Sequence, residues 1–551
     1  MTTVMQIAMR TQRDVSKPIP INQLTKPGIS LNSLVFEGDG YVMDALDDVA
    51  TLLRVGMKTF MIDLYWNEFT SIWQLCPAPF PSNITDVNAT VDLSWNTLQY
   101  TCQPTLTIEK LMQVFNNYIV ATNTNMNVDL IEILINLKSI QSKRTNTTLY
   151  SNSMLNQMGN STLNSTISSL GSYVFTPNDF HNYQENLQIN QYSNFYNSTS
   201  TILPSLSTVL LSDFRRILVN VVSNELVNST RKYEISSEDT SVIFFSGISV
   251  NTTILDNNDD TIKSCENIAP YGLNSSDSIE FFDELALNTN FQYVIDNDAY
   301  PFTNETYQQF IRCGNTPILN STYYDFSLEA TDYLGEIVNN FLPISFWSWA
   351  PGEPSSYNSN INDTHSQLGN LTSDFEGSQL AYKCVVFDKD GWRVDNCYRS
   401  YQYACQNLHS PNDWIIPKDS RKEYFQAYKE SCPNGYILSL PMSSIESASL
   451  SDAIEDQNAT YPIWIDLNDI TVAGCFVSGG PYADCPYQKT VSEARLVRLI
   501  APSFIVAVLV LFMIIIEKIF RVNPIQTNRK RYWKRVVQEY NEKHGFEGVP
   551  S

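Results

Sequence analysis

Val55–Leu64 reads VGMKTFMIDL, and Ile29–Glu37 reads ISLNSLVFE. Within the first, Lys58–Leu64 (KTFMIDL) reads as an apolar strand. Between them Asp44–Val55 (DALDDVATLLRV) carries apolar residues at helical spacing, and Gly56 follows as a stop signal. A helical run leading into an apolar strand, repeated along the chain, predicts a parallel sheet.

The alternation continues downstream. Ile108–Val120 reads as a helix and Leu130–Leu137 (LIEILINL) as a buried strand. Leu206–Phe214 has helical spacing ahead of the strand Ile217–Val222, while Ser241–Phe245 (SVIFF) and Phe291–Ile295 (FQYVI) are later strands. Upstream, Gln6–Met9 is read as a short strand. The pattern predicts an α/β fold with a TIM-barrel-like domain over residues 1–350. Asn146–Ser200, rich in Asn, Ser and Thr, reads as a glycosylated insertion loop, and Ser355–Ser373 as a similar polar loop.

Composition narrows the class. The 551-residue chain is 43% hydrophobic, enough to bury sizeable cores, and carries a net charge of -23. Such acidity argues against nucleic acid as a partner, which needs a Lys/Arg surface.

Near the C-terminus, Leu499–Ile516 (LIAPSFIVAVLVLFMIII) holds no charge. Its length matches the roughly 17–25 residues a spanning helix needs. Glu493, Arg495 and Arg498 precede it, while Lys518, Arg521, Arg529, Lys530, Arg531, Lys534 and Arg535 follow. The heavier positive flank places 517–551 in the cytosol and everything before the stalk 488–498 in a lumen or outside the cell. Lys530–Tyr540 also has the charge to lie on an anionic leaflet. The membrane is thus one partner, with a glycan or a protein of the lumen as another.

Two markers agree with that orientation. Fourteen Asn-x-Ser/Thr sequons precede the apolar stretch: Asn83, Asn88, Asn146, Asn160, Asn164, Asn197, Asn228, Asn251, Asn274, Asn304, Asn320, Asn362, Asn370 and Asn458. All ten cysteines also precede it: Cys76, Cys102, Cys265, Cys313, Cys384, Cys397, Cys405, Cys432, Cys475 and Cys485. An even count on that side fits an oxidising compartment and up to five disulfides, Cys76–Cys102 and Cys265–Cys313 among them. With no CxxC pair, zinc-ribbon and thioredoxin readings have no footing. Met1–Asp14 has no apolar stretch of signal-peptide length, so a start upstream of this Met is expected.

The region from Gln6 to Trp349 resembles the catalytic X domain of phosphatidylinositol-specific phospholipase C. That family places Ser-His-Asn-Ser/Thr after its first barrel strand and Gly-x-Arg-x-x-Glu-x-Asp on its second. Here Ser30-Leu31-Asn32-Ser33 and Gly56-Met57-Lys58-Thr59-Phe60-Met61-Ile62-Asp63 occupy those patterns. Leu111–Leu137 and Pro204–Val222 resemble later helix–strand units of that family. The resemblance implies a catalytic histidine at Leu31 and a metal-binding glutamate at Met61; neither is present, and no histidine precedes His181. Attack of a hydroxyl on phosphate needs a base, an acid and charge stabilisation, and each lost acid–base group costs about 10²–10⁴-fold. The expectation is therefore a barrel with no catalytic residue, no bound metal and no cofactor. The alternative is a phosphodiesterase or glycosidase using Asp63, Glu68, Asp296 and Asp298.

Residues 351–487 are dense in cysteine and aromatics. Trp347–Pro354 (WSWAPGEP) and Cys384–Cys405 (CVVFDKDGWRVDNCYRSYQYAC) resemble the C-terminal half of a C-type lectin domain, and Tyr428–Asp469 resembles its N-terminal half. The halves stand in swapped order, which implies a small disulfide-rich, circularly permuted α+β module or remnants of two. Permutation implies Cys384–Cys397, Cys405–Cys432 and Cys475–Cys485. A calcium lectin built on Glu353 is the further alternative, but Ser355 replaces the family's Asn and Asp395-Asn396 stands in reversed order.

The whole chain is similar to the fungal maintenance of telomere capping protein 6 family, on Met9–Leu24 (MRTQRDVSKPIPINQL), Leu52–Phe69 (LLRVGMKTFMIDLYWNEF), Trp73–Pro81 (WQLCPAPFP), Ser345–Pro354 (SFWSWAPGEP) and Cys432–Pro441 (CPNGYILSLP). The resemblance implies a type I membrane protein with a role named for telomere capping. An acidic lumenal domain does not touch chromatin, so that role is expected to be indirect.

Overall fold

The computed structural model describes residues 2–141, 152–185, 195, 202–229, 231–250, 265, 277–321, 335, 337–355, 382–418, 420–430, 432–487 and 493–545. The chain divides into two compact units, Met1–Tyr487 and Gln488–Ser551.

The first unit is built on a nine-stranded sheet. Its strands are β1 (Gly28–Ser30), β2 (Thr59–Asn67), β3 (Ile72–Gln74), β6 (Ile131–Ile140), β7 (Val174–Phe175), β8 (Ile217–Asn224), β9 (Gly247–Val250), β10 (Phe291–Ile295) and β11 (Thr316–Leu319). A separate hairpin consists of β4 (Val91–Trp95) and β5 (Leu98–Cys102). Their order is β7-β8-β6-β2-β1-β11-β10-β9, with β3 antiparallel on the end of β2 and all other pairs parallel. The sheet curls until Phe244, just ahead of β9, exchanges backbone hydrogen bonds with Val219 and Val221 of β8. This is a TIM-barrel-like sheet whose concave side is filled by Met61, Leu134, Leu218, Tyr293 and Ile318.

Local chemistry explains the elements. The helix Ala45–Val55 buries Ala45, Leu46, Val49, Leu52 and Leu53 and stops at Gly56, whose φ of 117° suits a residue without Cβ. Gly28 sits where β1 passes between β11 and β2: a Cβ there would stand 2.3 Å from Ile318 Cδ1. The helix Ile108–Ala121 is capped by Thr107, whose hydroxyl accepts from the Lys110 N–H, and buries Ile108, Leu111, Met112, Phe115 and Ile119 on one stripe.

Three expectations are corrected. Gln6–Met9 is not a strand but part of helix α1 (Thr3–Val15), capped by the Thr2 hydroxyl. Four apolar-leaning residues do not distinguish the two periods, and Ala8, fully buried, packs on the helical one. Ser241–Phe245 is not a strand either. A capping box between Ser236 and Asp239 starts the helix Ser237–Val242, and β9 begins only at Gly247. Leu206–Phe214, by contrast, is helical over residues 206–212, as its spacing predicts. Within Asn146–Ser200, the described residues hold the helices Asn152–Met158 and Pro177–Glu185 and strand β7, so that part is structured insertion and not loop. Most of Ser355–Ser373 lies outside the described residues.

Residues 351–487 carry β12 (Tyr382–Asp388), β13 (Gly391–Asn396), β14 (Gln402–Tyr403), β15 (Cys405–Asn407), β16 (Trp414–Ile415), β17 (Tyr436–Leu438) and β18 (Ile463–Asn468). The late strand β18 inserts between β12 and β14, so the two sequence halves share one sheet, β13-β12-β18-β14. A second sheet runs β16-β15-β17. The boundary near residue 350 separates sheet systems, not independent bodies: one core runs through both, and Asn412 donates to Asp283 at 2.7 Å. The disulfides are Cys76–Cys102, Cys265–Cys313, Cys384–Cys397, Cys405–Cys432 and Cys475–Cys485.

In the second unit Glu493–His544 is one helix, and its Ile500–Phe520 segment is long and apolar enough to cross a membrane.

Candidate functional site

The parallel register aligns the polar ends of neighbouring strands. Asp63 of β2 lies opposite Asn136 of β6, and Tyr65 opposite Lys138. Four polar side chains at i and i+2 therefore point to one face at the C-terminal rim of the sheet, where barrel folds carry their sites.

Asp63 is the hub. Its Oδ1 accepts from Asn136 Nδ2 at 2.9 Å, and its Oδ2 accepts from Lys138 Nζ at 2.7 Å and from the Tyr65 hydroxyl at 3.4 Å. Its own N–H donates to Asn32 Oδ1 at 2.8 Å, and Asn32 Nδ2 donates to the Tyr41 hydroxyl at 3.3 Å. Asn32 thus connects the helical segment Asn32–Phe36, which follows β1, to β2. Ser33 on the same segment donates to Asn320 Oδ1 at 2.9 Å. The Cys76–Cys102 bond ties the β4–β5 hairpin to the chain after β3, and the Tyr100 ring lies 6.4 Å from that of Tyr41. Burial raises the Glu37 carboxyl above its ordinary range; Asp298 and Asp63 add to this and Lys138 opposes it. Burial likewise raises the hydroxyls of Tyr41 and Tyr65.

The positions that the phospholipase resemblance makes decisive are apolar and buried. Leu31 is fully enclosed and Met61 lies in the sheet's concave core. Asp63, Glu68 and Asp296, three of the carboxylates of the alternative chemistry, are held by separate hydrogen-bond partners. Glu68 accepts from the Ser229 hydroxyl at 2.5 Å. Asp296 accepts from the N–H groups of Phe302, Asn320 and Ser321 and from the Ser321 hydroxyl, which brace the chain after β10 and β11. Burial still raises its carboxyl, with those bonds opposing. Asp298 is exposed, and its charge, like that of Asp63, acts on Glu37. Among the described histidines, His181 faces Glu185 on an exposed helix and His409 is exposed. Among the described residues no three His, Cys, Asp or Glu side chains group to hold a metal.

Lys138, Asn136, Tyr65 and Tyr41 were not singled out in the sequence. The available signal was Asn136 and Lys138 two apart in an otherwise apolar run, which places both on one strand face.

In residues 351–487, Glu353 accepts from the Ser355 N–H and hydroxyl and from the Val394 N–H, while Asp395 pairs with Arg399 and the Tyr401 hydroxyl. Of the sequons, Asn83, Asn88, Asn228, Asn304 and Asn458 are exposed. Asn160, Asn164 and Asn320 are half-buried with their amides bonded to Ser165, Glu238 and the Asp296 carbonyl. Asn146, Asn197, Asn251, Asn274, Asn362 and Asn370 lie outside the described residues.

Residues 1–339 match the family model described as the MTC6 partial TIM-barrel domain. The chain belongs to the maintenance of telomere capping protein 6 family. Relatives so named match across nearly all of both chains. The protein of Candida tropicalis is 47% identical over 99% of this chain and 95% of its own. That of Debaryomyces hansenii is 44% identical over 99% and 94%. That of Komagataella phaffii is 27% identical over 99% and 96%. The partial barrel of the family's description agrees with the curled sheet here, and the telomere capping protein 6 family name thereby attaches to a barrel whose rim is organised around Asp63.

Proposed function

We propose that this chain is a single-pass type I membrane glycoprotein, non-enzymatic, with its barrel rim and disulfide-stapled second region serving recognition or structural support outside the cytosol. Any part in telomere maintenance, the role its relatives are named for, is then indirect. The observation that carries the non-enzymatic reading is the state of Asp63. Its carboxylate already accepts from an ammonium, an amide and a hydroxyl, with Leu31 and Met61 where an imidazole and a metal ligand would be needed. A carboxylate so occupied is a poor general base, and the Lys138 ammonium and Tyr65 hydroxyl beside it are both taken up as its donors. Support for the membrane reading is the Ile500–Phe520 segment with its basic C-terminal flank. The lectin-like reading of 351–487 draws on the interleaving of β18 between β12 and β14.

The test uses purified full-length protein. Incubation with phosphatidylinositol vesicles and with aryl glycosides is expected to give no turnover above buffer. Turnover that disappears in Asp63→Asn would overturn the reading.

A further inference from the structure

A cavity opens at the end of the barrel sheet away from the Asp63 rim. Thr25 and Lys26, which lead into β1, Lys58, which leads into β2, and Asp129, ahead of β6, all line it. The three strands run parallel and adjacent, so these residues share the N-terminal end of the sheet. Helix α1 closes one side through Arg13, and Leu342 and Trp347 close another. In barrel folds this end usually serves stability. Here it is hollow, and the centres of water-sized molecules have about 50 Å³ to occupy. At about 10–15 Å³ for each, that holds roughly four waters, or a ligand of about four to six heavy atoms.

The surroundings are cationic in a chain whose net charge is -23. Arg13, Lys26 and Lys58 line the cavity and Lys17 and Arg216 stand behind it, five cations to the three carboxylates Asp14, Asp129 and Glu132. Most of these charges are already matched. Arg13 donates to Asp14, to the carbonyls of Asn125, Met126 and Val128 and to the Tyr487 hydroxyl, so its fork is full. Lys26 donates to Glu132 at 3.2 Å. Asp129 accepts from the Leu130 N–H at 2.9 Å, and its charge acts on Arg13 and Arg216.

Lys58 differs. Its ammonium donates to a neutral group, the Tyr118 hydroxyl, at 2.6 Å and lies 4.8 Å from the centre of that ring. That bond uses one of its three N–H groups. In the same lining, Thr25 is 3% exposed and its hydroxyl has no partner among the described residues. A buried hydroxyl left so costs stability unless a bound group takes it up.

We propose that this cavity binds a short-chain carboxylic acid as its anion. The carboxylate takes the Lys58 ammonium and the Thr25 hydroxyl as donors, and its carbon chain lies against Leu342 and Trp347. A single unmatched ammonium calls for a single negative charge, which a carboxylate carries and a phosphate dianion exceeds. The apolar walls bury a carbon chain and offer nothing to a bare oxyanion. This site is separate from the Asp63 rim and does not depend on the membrane reading.

The full-length chain in detergent micelles tests it, with butyrate as the probe and ligand-observed NMR as the readout. Butyrate is expected to bind saturably with a Kd of about 1 mM, an ordinary efficiency for so small a ligand. Butylamine, of similar shape and opposite charge, is expected not to bind. Lys58→Met and Thr25→Val should each weaken butyrate about tenfold, while Lys58→Arg keeps most of the affinity and Leu342→Trp, which fills the cavity, abolishes it. Thermal melts establish which variants are folded. Absence of saturable butyrate binding by the unaltered chain overturns the proposal whether or not any variant folds. Equal binding of butylamine, or undiminished butyrate binding in folded Lys58→Met or Leu342→Trp, overturns the carboxylate site. Inorganic phosphate that displaces butyrate at a lower concentration than butyrate itself needs overturns the choice of a monocarboxylate.

Discussion

Lys138 Nζ stands 2.7 Å from Asp63 Oδ2, on a neighbouring strand and two residues farther along the shared register. The pair neutralises the one carboxylate that the phospholipase-like pattern retains. Lys138 keeps 31% of its side chain exposed, so the pair is worth less than a buried one. Lys138→Met is expected to destabilise the protein by about 1–2 kcal/mol, mostly through leaving Asp63 unpaired. Asp63→Asn in the same chain should return part of that loss. Denaturant melts of both variants and the double variant would show it; strict additivity would argue that the two residues do not interact.

Lys26 and Glu132 form a second pair, at 3.2 Å, at the opposite end of the sheet and far better enclosed. Burial raises the Glu132 carboxyl, with Lys26 opposing. Removing the ammonium by Lys26→Met leaves a buried carboxylate, and losses of about 3–5 kcal/mol are usual for such a change. Because the orphaned carboxyl escapes the penalty by taking a proton, the loss should shrink on moving from pH 7.5 to pH 5. A destabilisation that is the same at both pH values would count against an ionised Glu132.

Glu446, fully enclosed in the helix Ser444–Asp456, accepts from the Met442 N–H at 2.8 Å, and burial pushes its carboxyl up to about 7. The folded protein therefore holds this proton to higher pH than the unfolded chain does, whose group titrates near 4.5. Stability from this site is complete below that lower value and is lost as pH rises through about 7, on the order of 3 kcal/mol in all. Glu446→Gln should flatten that part of the profile of melting temperature between pH 5 and pH 8. An unchanged slope in the variant would remove Glu446 as its source.

On the proposed topology, glycopeptide mapping should find occupied sites among exposed Asn83, Asn88, Asn228, Asn304 and Asn458. Asn320 should stay unmodified in the folded chain, since its amide faces the Asp296 carbonyl and its oxygen receives Ser33. A glycan on Asn320 in folded, disulfide-bonded protein would contradict the arrangement of the rim.

Much of the sheet was legible beforehand, because a strand buried on both faces must be apolar throughout. Thr59–Asn67, Ile131–Ile140 and Phe291–Ile295 announce themselves that way. Short or capped segments did not. Gln6–Met9 and Ser241–Phe245 have apolar residues compatible with either period, and the deciding hydrogen bonds come from Thr2, Ser236 and Asp239, outside or beside the runs. Asp63 stood out in the sequence, while its partners Asn136 and Lys138 lie over seventy residues away and meet it only through strand register.

From composition alone came the compartment expected for the cysteines, the apolar segment and its basic flank, and the absence of histidine ahead of His181. These follow from residue identity and local order, which need no folding to be read. Tertiary structure alone decided that Lys138 occupies Asp63, that β18 inserts between strands of an earlier segment, and that Arg13 ties the first helix to Tyr487. Each joins residues distant in the chain, and only the closing of many such loops at once, driven by burial of a shared core, determines which of them meet.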